Sequence, residues 1–531
     1  APTTAPAASS GAPSGSGGAP YPTFIATTSG PPPDFPAAGP QYQIGFTNFP
    51  KSPPKSWTKA PPGSGSKIIA YSNTGAPLPP TPLEQNPAWQ EVNKQLNANI
   101  DFQIISQADY PTKLATMMAG NDLTDFILIG KNVQNLTPFL KAKAADLTPY
   151  LGGDAAKDYP NLAAIPTYSW TNSACARDGK LYMIPISRYQ PGNMLLKNTE
   201  VYDAEIGKDY IPKDADDFKR ILVALTKPQE NRYGMGPISN RIDMIQYVSA
   251  MFGAPKNWRL GTDGKLLKDI ETPEYRASIA YFRDLVTSNV FYPDAAGIPN
   301  VTVARDSFIA SKFILDTQSY GNAWQDDWTR GPKQNPPVTP GSIVPFPSVA
   351  GGKAIHHLGD GYYGTTVLKQ GSPDRIKELL AIADWLAAPF GSQEDLLLTT
   401  GVPDRDYTIG DDGNPNPTQN SNVDANSVPW KYIVQHPQVA YWPGIPAYAQ
   451  AAIDFERAVI PIGIQDPAIG LTTPTLDKQG APLAQTLQDA VFDLVTGRRP
   501  LTDYDAIVQE WQSGGGNQIR DELQQVIAAN A

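Results

Sequence analysis

Short apolar runs alternate with amphipathic segments in the first third of the chain. The run 67–73, KIIAYSN, has the pattern of a buried strand that ends in polar residues, and the runs 100–105 and 124–129 repeat it. Helical patterns separate them, one opening at Asn86-Pro87 and a shorter one covering 110–118. This strand–helix–strand–helix–strand order predicts a parallel sheet, with ligand sites at the carboxyl ends of its strands.

Polar and aromatic side chains stand at two of those strand ends. Tyr71 and Asn73 close the first predicted strand, and Lys131 and Asn132 follow the third. Because the carboxyl ends of parallel strands meet at one edge of a sheet, we expect all four side chains beside a ligand cleft.

A predicted strand that contains a proline follows further along the chain. It covers 181–186, and Pro185 removes a backbone donor, which predicts a strand at the edge of a sheet or a bend. An aromatic and polar patch and a second apolar strand follow. A bent strand that leaves one sheet and enters another is what a hinge between two lobes requires. We therefore interpret 186–193 as the first crossing between two α/β lobes, with Arg188 and Tyr189 beside the cleft.

Glycines surround a second candidate crossing. Residues 359–364, GDGYYG, formally match the GxGxxG fingerprint of dinucleotide sites, but that fingerprint requires a helix directly afterwards. Residues 365–368 have the pattern of a strand, so the nucleotide interpretation is rejected. We expect the chain to cross back here, with Tyr362 and Tyr363 facing the cleft. The adjacent pair His356-His357 has no third ligand at a helical or loop spacing, so we expect no metal site.

Aromatic residues gather in two later loops, 317–328 and 429–448. Sugars present apolar C–H faces and rims of hydroxyl groups, so a sugar site needs flat aromatic rings beside planar hydrogen-bonding side chains. For each ring in these loops, the alternative to stacking on a sugar is burial in a core. The candidate stacking rings are Tyr320, Trp324, Trp430, Trp442 and Tyr448.

Composition narrows the class of protein. A chain of 531 residues is too long for one core and predicts at least two domains. The net charge of −10 and the absence of any Lys/Arg-rich block argue against a nucleic-acid surface. Cys175 is the single cysteine, which excludes an internal disulfide framework. No run of 18 apolar residues exists, so no transmembrane helix is predicted.

Residues 1–66 differ in composition from the rest of the chain. They hold 15 of the 54 prolines, and no charged residue comes before Asp34. The first 20 residues cannot bury enough apolar surface to offset their ordering entropy, so we expect a disordered tether with the signal peptide already removed. For residues 21–66 two alternatives stand, an extended arm that wraps a lobe or a continuation of the tether. Such a tether fits a protein held at a cell surface, although the anchor is not in this sequence.

Several motifs, taken in order, point to a family. The stretch 109–126 contains DYPTKL and MAGNDLTDF, and 178–198 runs from DGKLY through the proline to KN. Residues 308–324 run from FIASKF to a glycine and a tryptophan, and 381–390 form an apolar helix pattern followed by Gly401. Together with an ending of the form LVTG and PL, these stretches resemble the extracellular solute-binding proteins of ABC importers, in particular the carbohydrate-binding group. Departures from the family pattern stand at Asn121, Thr124 and Ser311.

The resemblance implies a two-lobed, periplasmic-binding-protein-like fold of type II with a hinge cleft. We expect residues 67–187 plus about 362–402 in the first lobe and 188–361 plus about 403–531 in the second. The implied function is that of a monomeric cell-surface lipoprotein without a cofactor, which captures a sugar, expected to be an oligosaccharide, and delivers it to a membrane permease. Some relatives hold a structural calcium, and the sequence leaves that question open.

The rival interpretations are a secreted carbohydrate-active hydrolase or lyase, and a binding protein for a peptide. A hydrolase needs two carboxylates placed across the scissile bond. The only acidic pair in an aromatic loop, Asp326 and Asp327, is adjacent in the chain, so its side chains point apart. No Gly-x-Ser-x-Gly elbow, phosphate loop or His-Glu-x-x-His motif occurs. The sequence therefore favours a binding protein over an enzyme.

Overall fold

The computed structural model describes residues 20–27, 30, 32–74, 80–238, 242–293 and 301–530. The predicted tether at residues 1–19 lies outside the described residues. Within the described ranges, no helix is both long enough and apolar enough to span a bilayer.

Seventeen strands are found in the described part of the chain. In chain order they are β1 Lys67–Thr74, β2 Asn99–Ser106, β3 Phe126–Ile129, β4 Ala176–Arg177, β5 Lys180–Leu181, β6 Met183–Ser187, β7 Asn193–Asn198, β8 Tyr233–Met235, β9 Trp258–Leu260, β10 Leu266–Lys268, β11 Phe313–Ser319, β12 Pro340–Ile343, β13 His356–His357, β14 Tyr362–Leu368, β15 Tyr407–Ile409, β16 Pro415–Pro417 and β17 Gly463–Ile464.

The α-helices of the same residues are numbered in the same way. They are α1 Pro87–Leu96, α2 Tyr110–Ala119, α3 Leu136–Lys143, α4 Thr148–Leu151, α5 Pro160–Ala163, α6 Thr167–Asn172, α7 Thr199–Glu205, α8 Ala215–Leu225, α9 Ile242–Met251, α10 Pro273–Thr287, α11 Val301–Ile309, α12 Asn322–Arg330, α13 Pro373–Leu386, α14 Gln393–Thr400, α15 Gln419–Asp424, α16 Pro446–Val459, α17 Pro474–Thr496, α18 Tyr504–Trp511 and α19 Asn517–Asn530.

Five strands form the first sheet, in the order β2–β1–β3–β14–β6. Strand β1 pairs in parallel with both β2 and β3, as the alternating pattern predicts, because α1 and α2 supply the crossover connections. Strand β14 runs antiparallel between β3 and β6. The strand that contains Pro185 lies at the edge of this sheet, where a missing backbone donor costs no ladder hydrogen bond.

Four strands form the second sheet, in the order β12–β7–β11–β8. The chain passes from the first sheet to the second between Ser187 and Asn193, which are the last residue of β6 and the first of β7. It returns to the first sheet at β14, directly after the short strand β13. The first connection between the sheets is therefore 188–192. The second runs from the end of β12 to the start of β14, and residues 358–361 are its last part.

Each sheet has its own apolar core. The first includes Ile68, Ile127 and Leu380, and the second includes Leu195 and Phe218, all fully buried. The C-terminal third contributes to both layers. Residues 428–434 lie in the first core, whereas the sequence-based limits place 403–531 with the second lobe. The reason is that an apolar face of this segment covers the first sheet before the chain turns away.

The part of residues 21–66 that is described lies along the body of the protein as extended chain. The backbone N–H of Phe46 donates to the Ala440 carbonyl over 2.9 Å. Further along, the carboxylate of Glu394 accepts hydrogen bonds from the backbone N–H groups of Ser56 and Trp57, at 2.9 and 3.0 Å. The arm therefore fastens to segments that follow it by several hundred residues.

The prediction that 317–328 form an aromatic loop is wrong, because most of these residues belong to a strand and a helix. Strand β11 continues to Ser319, and helix α12 begins at Asn322. Trp324 and Trp328 are four residues apart, so a helix places them on the same face, where both contact the aromatic side chains beneath it.

Candidate binding site at the sheet crossings

The two connections between the sheets run side by side. The backbone N–H of Arg188 donates to the Gly361 carbonyl over 3.0 Å, and that of Gly359 donates to the Gln190 carbonyl over 2.6 Å. A β-carbon on Gly361, whose φ is +81°, would lie 2.5 Å from a ring carbon of Tyr168. A β-carbon on Gly359 would lie 2.9 Å from the Tyr189 carbonyl oxygen, so this glycine permits the close approach of the two backbone segments.

Side chains from β1, from the first connection and from the late segment 431–435 surround Tyr363 of β14. Its ring stacks on that of Tyr432, with centroids 5.1 Å apart and planes at 29°. The guanidinium carbon of Arg188 lies 5.1 Å from the centroid of the same ring. The hydroxyl of Tyr363 is 3.5 Å from Oδ1 of Asn73 at the end of β1. With two further neighbours, we call this group the Tyr363 cluster: Asn73, Arg188, Tyr363, Lys431, Tyr432 and Gln435.

Two hydrogen bonds hold the guanidinium of Arg188 in this cluster. Its Nη1 donates to the Ser187 carbonyl and to Oε1 of Gln435, both over 2.8 Å. The ammonium of Lys431 lies 5.5 Å from the centroid of the Tyr432 ring. Arg188, Lys431 and both tyrosines are half-buried, so rings and cations are partly open to solvent. The arrangement offers flat apolar faces next to planar hydrogen-bonding groups.

Burial and like charge change the acidity of the two cations. Burial lowers the pKa of Arg188 from its ordinary value. The pKa of Lys431 is lowered first by burial and then by the positive charge of Arg188.

Tyr71 lies buried beside this cluster. Its ring centroid is 5.2 Å from that of Tyr110, and its hydroxyl has no hydrogen-bond partner among the described residues. Burial raises the pKa of the Tyr71 phenol. Of the two predicted residues at the end of β1, Asn73 contacts Tyr363 and Tyr71 packs on Tyr110.

A second group of side chains surrounds Asp360, which lies just before β14 in the chain. Nζ of Lys131 is 2.7 Å from one carboxylate oxygen of Asp360, and Nζ of Lys256 is 2.6 Å from the other. Nζ of Lys131 also lies 4.7 Å from the centroid of the Tyr362 ring. Burial by itself would raise the pKa of Asp360, but the two lysines outweigh it and hold that pKa at about 2. We call Lys131, Asp360 and Lys256 the Asp360 bridge; Asn132 is exposed next to it.

Three of the predicted rings lie instead in a core next to the second sheet. Trp324 and Tyr448 are 0% exposed and Tyr320 is 6% exposed. The indole N–H of Trp324 donates to the Pro340 carbonyl over 2.8 Å. Tyr189 is half-buried and packs edge to face on Tyr320, with centroids 5.0 Å apart. These rings lie together, but apart from the half-buried Tyr189 they present no face for stacking in this structure.

The remaining two predicted rings lie apart from the Tyr363 cluster. Trp430 is 4% exposed and packs edge to face against Trp89 and Phe102 in the first core. Trp442 is half-buried, and its indole N–H donates to Oγ1 of Thr329 over 2.5 Å.

The sequence prediction missed Lys431, Tyr432, Gln435, Asp360 and Lys256. A signal for the first three exists in the stretch WKYIVQ, because Trp430, Ile433 and Val434 have helical spacing and all lie in the core. The residues between them then face outward. No comparable pattern marks Asp360 or Lys256.

Both adjacent histidines bind backbone carbonyls. The Nε2 atom of His356 contacts the Pro191 carbonyl, and that of His357 contacts the Ala254 carbonyl at 2.9 Å. Burial lowers the pKa of each imidazole to about 4. Across the described ranges, no three His, Cys, Asp or Glu side chains are grouped to hold a metal ion.

Comparison with known proteins places this architecture in a family. The bacterial extracellular solute-binding protein family matches residues 88–401, more than half of the chain. The chain belongs to this family, as the motifs in its sequence predicted.

Individual relatives agree with that assignment. Lipoprotein LipO of Bacillus subtilis (strain 168) is 23% identical over 489 residues, which cover 88% of this chain and 94% of the relative. The polygalacturonan/rhamnogalacturonan-binding protein YtcQ of the same organism is 22% identical over 468 residues, which cover 83% and 88%. The calcium-free structure of alginate-binding protein AlgQ2 superposes with a TM-score of 0.64 at 15% identity, covering 89% of this chain and 99% of that one. This similarity of structure confirms the predicted two-lobed α/β fold class.

Proposed function

We propose that this chain is the cell-surface substrate-binding component of an ABC transporter, which captures an oligosaccharide between its lobes and delivers it to a membrane permease. The observation that carries the proposal is the pair of stacked, half-buried rings of Tyr363 and Tyr432 at the point where both connections between the sheets meet. Family membership and the sugar-binding relatives support it.

The side chains around the stacked rings have the chemistry that a sugar requires. A sugar ring offers an apolar C–H face to a tyrosine and hydroxyl groups to planar donors and acceptors. Asn73 and Gln435 supply amides, and Arg188 supplies a guanidinium. The buried hydroxyl of Tyr71, which lacks a partner within the described residues, is a further donor for a ligand hydroxyl.

We further propose that closure of the lobes couples binding to transport. A ligand that touches both lobes stabilises the closed state in proportion to its extra affinity for that state. Lys131, Asn132 and Tyr362 extend the proposed site towards the second sheet through the Asp360 bridge. The proposed lobes follow the sequence-based limits, except that 428–434 join the first.

Ligand contact by Tyr189, Tyr320, Trp324, Trp430, Trp442 and Tyr448 stays a prediction. Burial in the two cores favours a structural role for most of them. We also propose that the chain works as a monomer without catalysis, tethered outside the cell membrane, a location that the lipoprotein among its relatives supports.

A thermal-shift screen with product analysis tests this function. The purified chain is mixed with oligosaccharides, monosaccharides and peptides, and each mixture is checked by chromatography. We expect an oligosaccharide to raise the melting temperature and to remain intact.

Substitutions at the stacked rings locate the site. Tyr363→Ala and Tyr432→Ala should each reduce affinity about tenfold or more, since loss of one stacking ring costs about 1–3 kcal/mol by analogy with other ring systems. Tyr150→Ala, which removes a half-buried tyrosine of α4, is the matched control. Cleavage of a panel member, or a shift caused only by peptides, would overturn the proposed function.

A further inference from the structure

We propose that the ligand is an acidic oligosaccharide, whose uronate carboxylate is bound by Arg188 and Lys431 of the Tyr363 cluster. This inference rests on the proposed function and names the substrate class of the same site.

The first observation is that neither cation is paired. Within the described residues, no carboxylate lies within 4.0 Å of Arg188 or Lys431, and both hydrogen bonds of Arg188 go to neutral oxygens. Lys197 is also part-buried, but its Nζ lies 2.7 Å from Asp203. Arg305 likewise contacts Asp327 at 3.1 Å. Part-buried charges are usually compensated, so a negative group is the expected partner for these two.

The second observation is that both cations lie against the stacked rings. The guanidinium carbon of Arg188 is 5.1 Å from the Tyr363 centroid, and the ammonium of Lys431 is 5.5 Å from the Tyr432 centroid. Burial first, and then the charge of Arg188, lower the pKa of Lys431. An anion bound beside them would offset the repulsion, because it supplies a charge partner. A neutral sugar hydroxyl would satisfy hydrogen bonds but leave the repulsion in place.

The third observation concerns the shape of the free donors. The printed hydrogen bonds of Arg188 within the described part of the chain use Nη1 only, so its Nε and Nη2 edge is available. That edge matches the two oxygens of a carboxylate in a bidentate pair. The neighbouring rings of Tyr363 and Tyr432 provide the stacking surface for the sugar that carries the carboxylate.

The negative net charge of the whole chain opposes the binding of an acidic sugar, so local cations such as Arg188 and Lys431 are needed to offset it. The formal net charge is −10, so a polyanionic sugar meets a repulsive field at long range. Beside Tyr362, the Asp360 bridge adds two lysines to one aspartate. The Asp360 bridge therefore carries a net positive charge, and Arg188 and Lys431 add two further cations near the crossings.

Calorimetric titration with matched sugars tests the inference. The probes are trigalacturonate and trimannuronate, each compared with its own methyl ester, which keeps the rings and removes the charge. We expect at least one acid to bind ten times or more as tightly as its ester. Arg188→Gln and Lys431→Gln should each weaken binding of the acid at least tenfold, and should weaken binding of the ester by a clearly smaller factor, because only the acid loses a charge partner. Lys113→Gln removes an exposed cation of α2 and should change neither.

The outcomes separate this inference from the proposed function. Equal binding of acid and ester, or binding of neutral oligosaccharides alone, would overturn the acidic ligand and leave the sugar-binding function intact. No binding of any sugar would overturn both. Arg188→Lys is a control for misfolding, because it keeps the positive charge and loses the planar guanidinium. We expect its affinity for the acid to lie between those of wild type and Arg188→Gln.

Discussion

At the scale of single residues, burial separates rings that pack in a core from rings that we propose to contact a ligand. Trp324 and Trp430 are candidates in the sequence because they are large and lie in the aromatic-rich segments 317–328 and 429–448, yet both are nearly inaccessible. Tyr363 and Tyr432 are smaller and carry a polar hydroxyl, and both stay half-buried. The sequence predicted Asn73, Arg188 and Tyr363 as candidate residues from strand ends and crossings, and in the structure both Asn73 and Arg188 contact Tyr363. The sequence could not predict which aromatic side chains stay exposed, because their exposure depends on contacts between distant segments.

Glu456 shows how a buried residue links the arm to the core. Its carboxylate accepts hydrogen bonds from the Gln43 backbone N–H over 2.9 Å and from the Tyr320 hydroxyl over 3.2 Å. Burial raises the pKa of Glu456 to about 7, and these hydrogen bonds offset only part of that effect. The folded state therefore holds a proton on this carboxyl more tightly than the unfolded chain does.

The raised pKa of Glu456 predicts a pH-dependent effect of one substitution. Its contribution to stability is complete below about pH 4.5 and is lost as the pH rises through about 7, because only the unfolded state ionises freely in that window. The loss is on the order of 3 kcal/mol. Glu456→Gln cannot ionise, so its stability relative to wild type should improve between pH 5 and pH 8 in urea unfolding. An equal difference at both pH values would contradict this.

At the scale of elements, periodicity predicts where packing follows a regular face. The strands β1 to β3 and helices α1 and α2 follow from their apolar spacing, and the edge position of β6 follows from its proline. Helix α12 was missed because its sequence, NAWQDDWTR, has few apolar residues other than two tryptophans. The helix is fixed by tertiary contacts to those two rings rather than by local propensity.

The glycines at the crossings provide an element-scale prediction. Gly192 has φ +70°, and a β-carbon there would lie 2.5 Å from the His357 carbonyl oxygen. Gly65 has φ +84° and nothing within 4 Å of the same position, so it controls for backbone strain. Gly65→Ala should cost about 1–2 kcal/mol, and Gly192→Ala about 2 kcal/mol more because backbone atoms must move. If both variants lost the same free energy of unfolding in urea, the backbone segments at the crossings could move apart without cost, and the prediction would be wrong.

At the scale of the whole molecule, the crossings are where fold and proposed function meet. The first sheet supplies Asn73 and Tyr363, the connection supplies Arg188, and the late segment 431–435 completes the cluster. The segment between α9 and β9 reaches the second connection through Lys256, whose ammonium contacts Asp360. The order of motifs predicts the two-lobed class, but the return of 428–434 to the first core depends on long-range contacts and could not be read from local patterns.

A crystal structure with the best-binding oligosaccharide of the screen tests the central claim most directly. We predict a sugar ring whose C–H face lies about 4 Å from the exposed face of Tyr432 or Tyr363, with a polar substituent within hydrogen-bond distance of Arg188. A control crystal of Tyr432→Ala under the same conditions should show lower occupancy of that ring. Electron density for the ligand anywhere else, with Tyr363, Tyr432 and Arg188 untouched, would contradict the account.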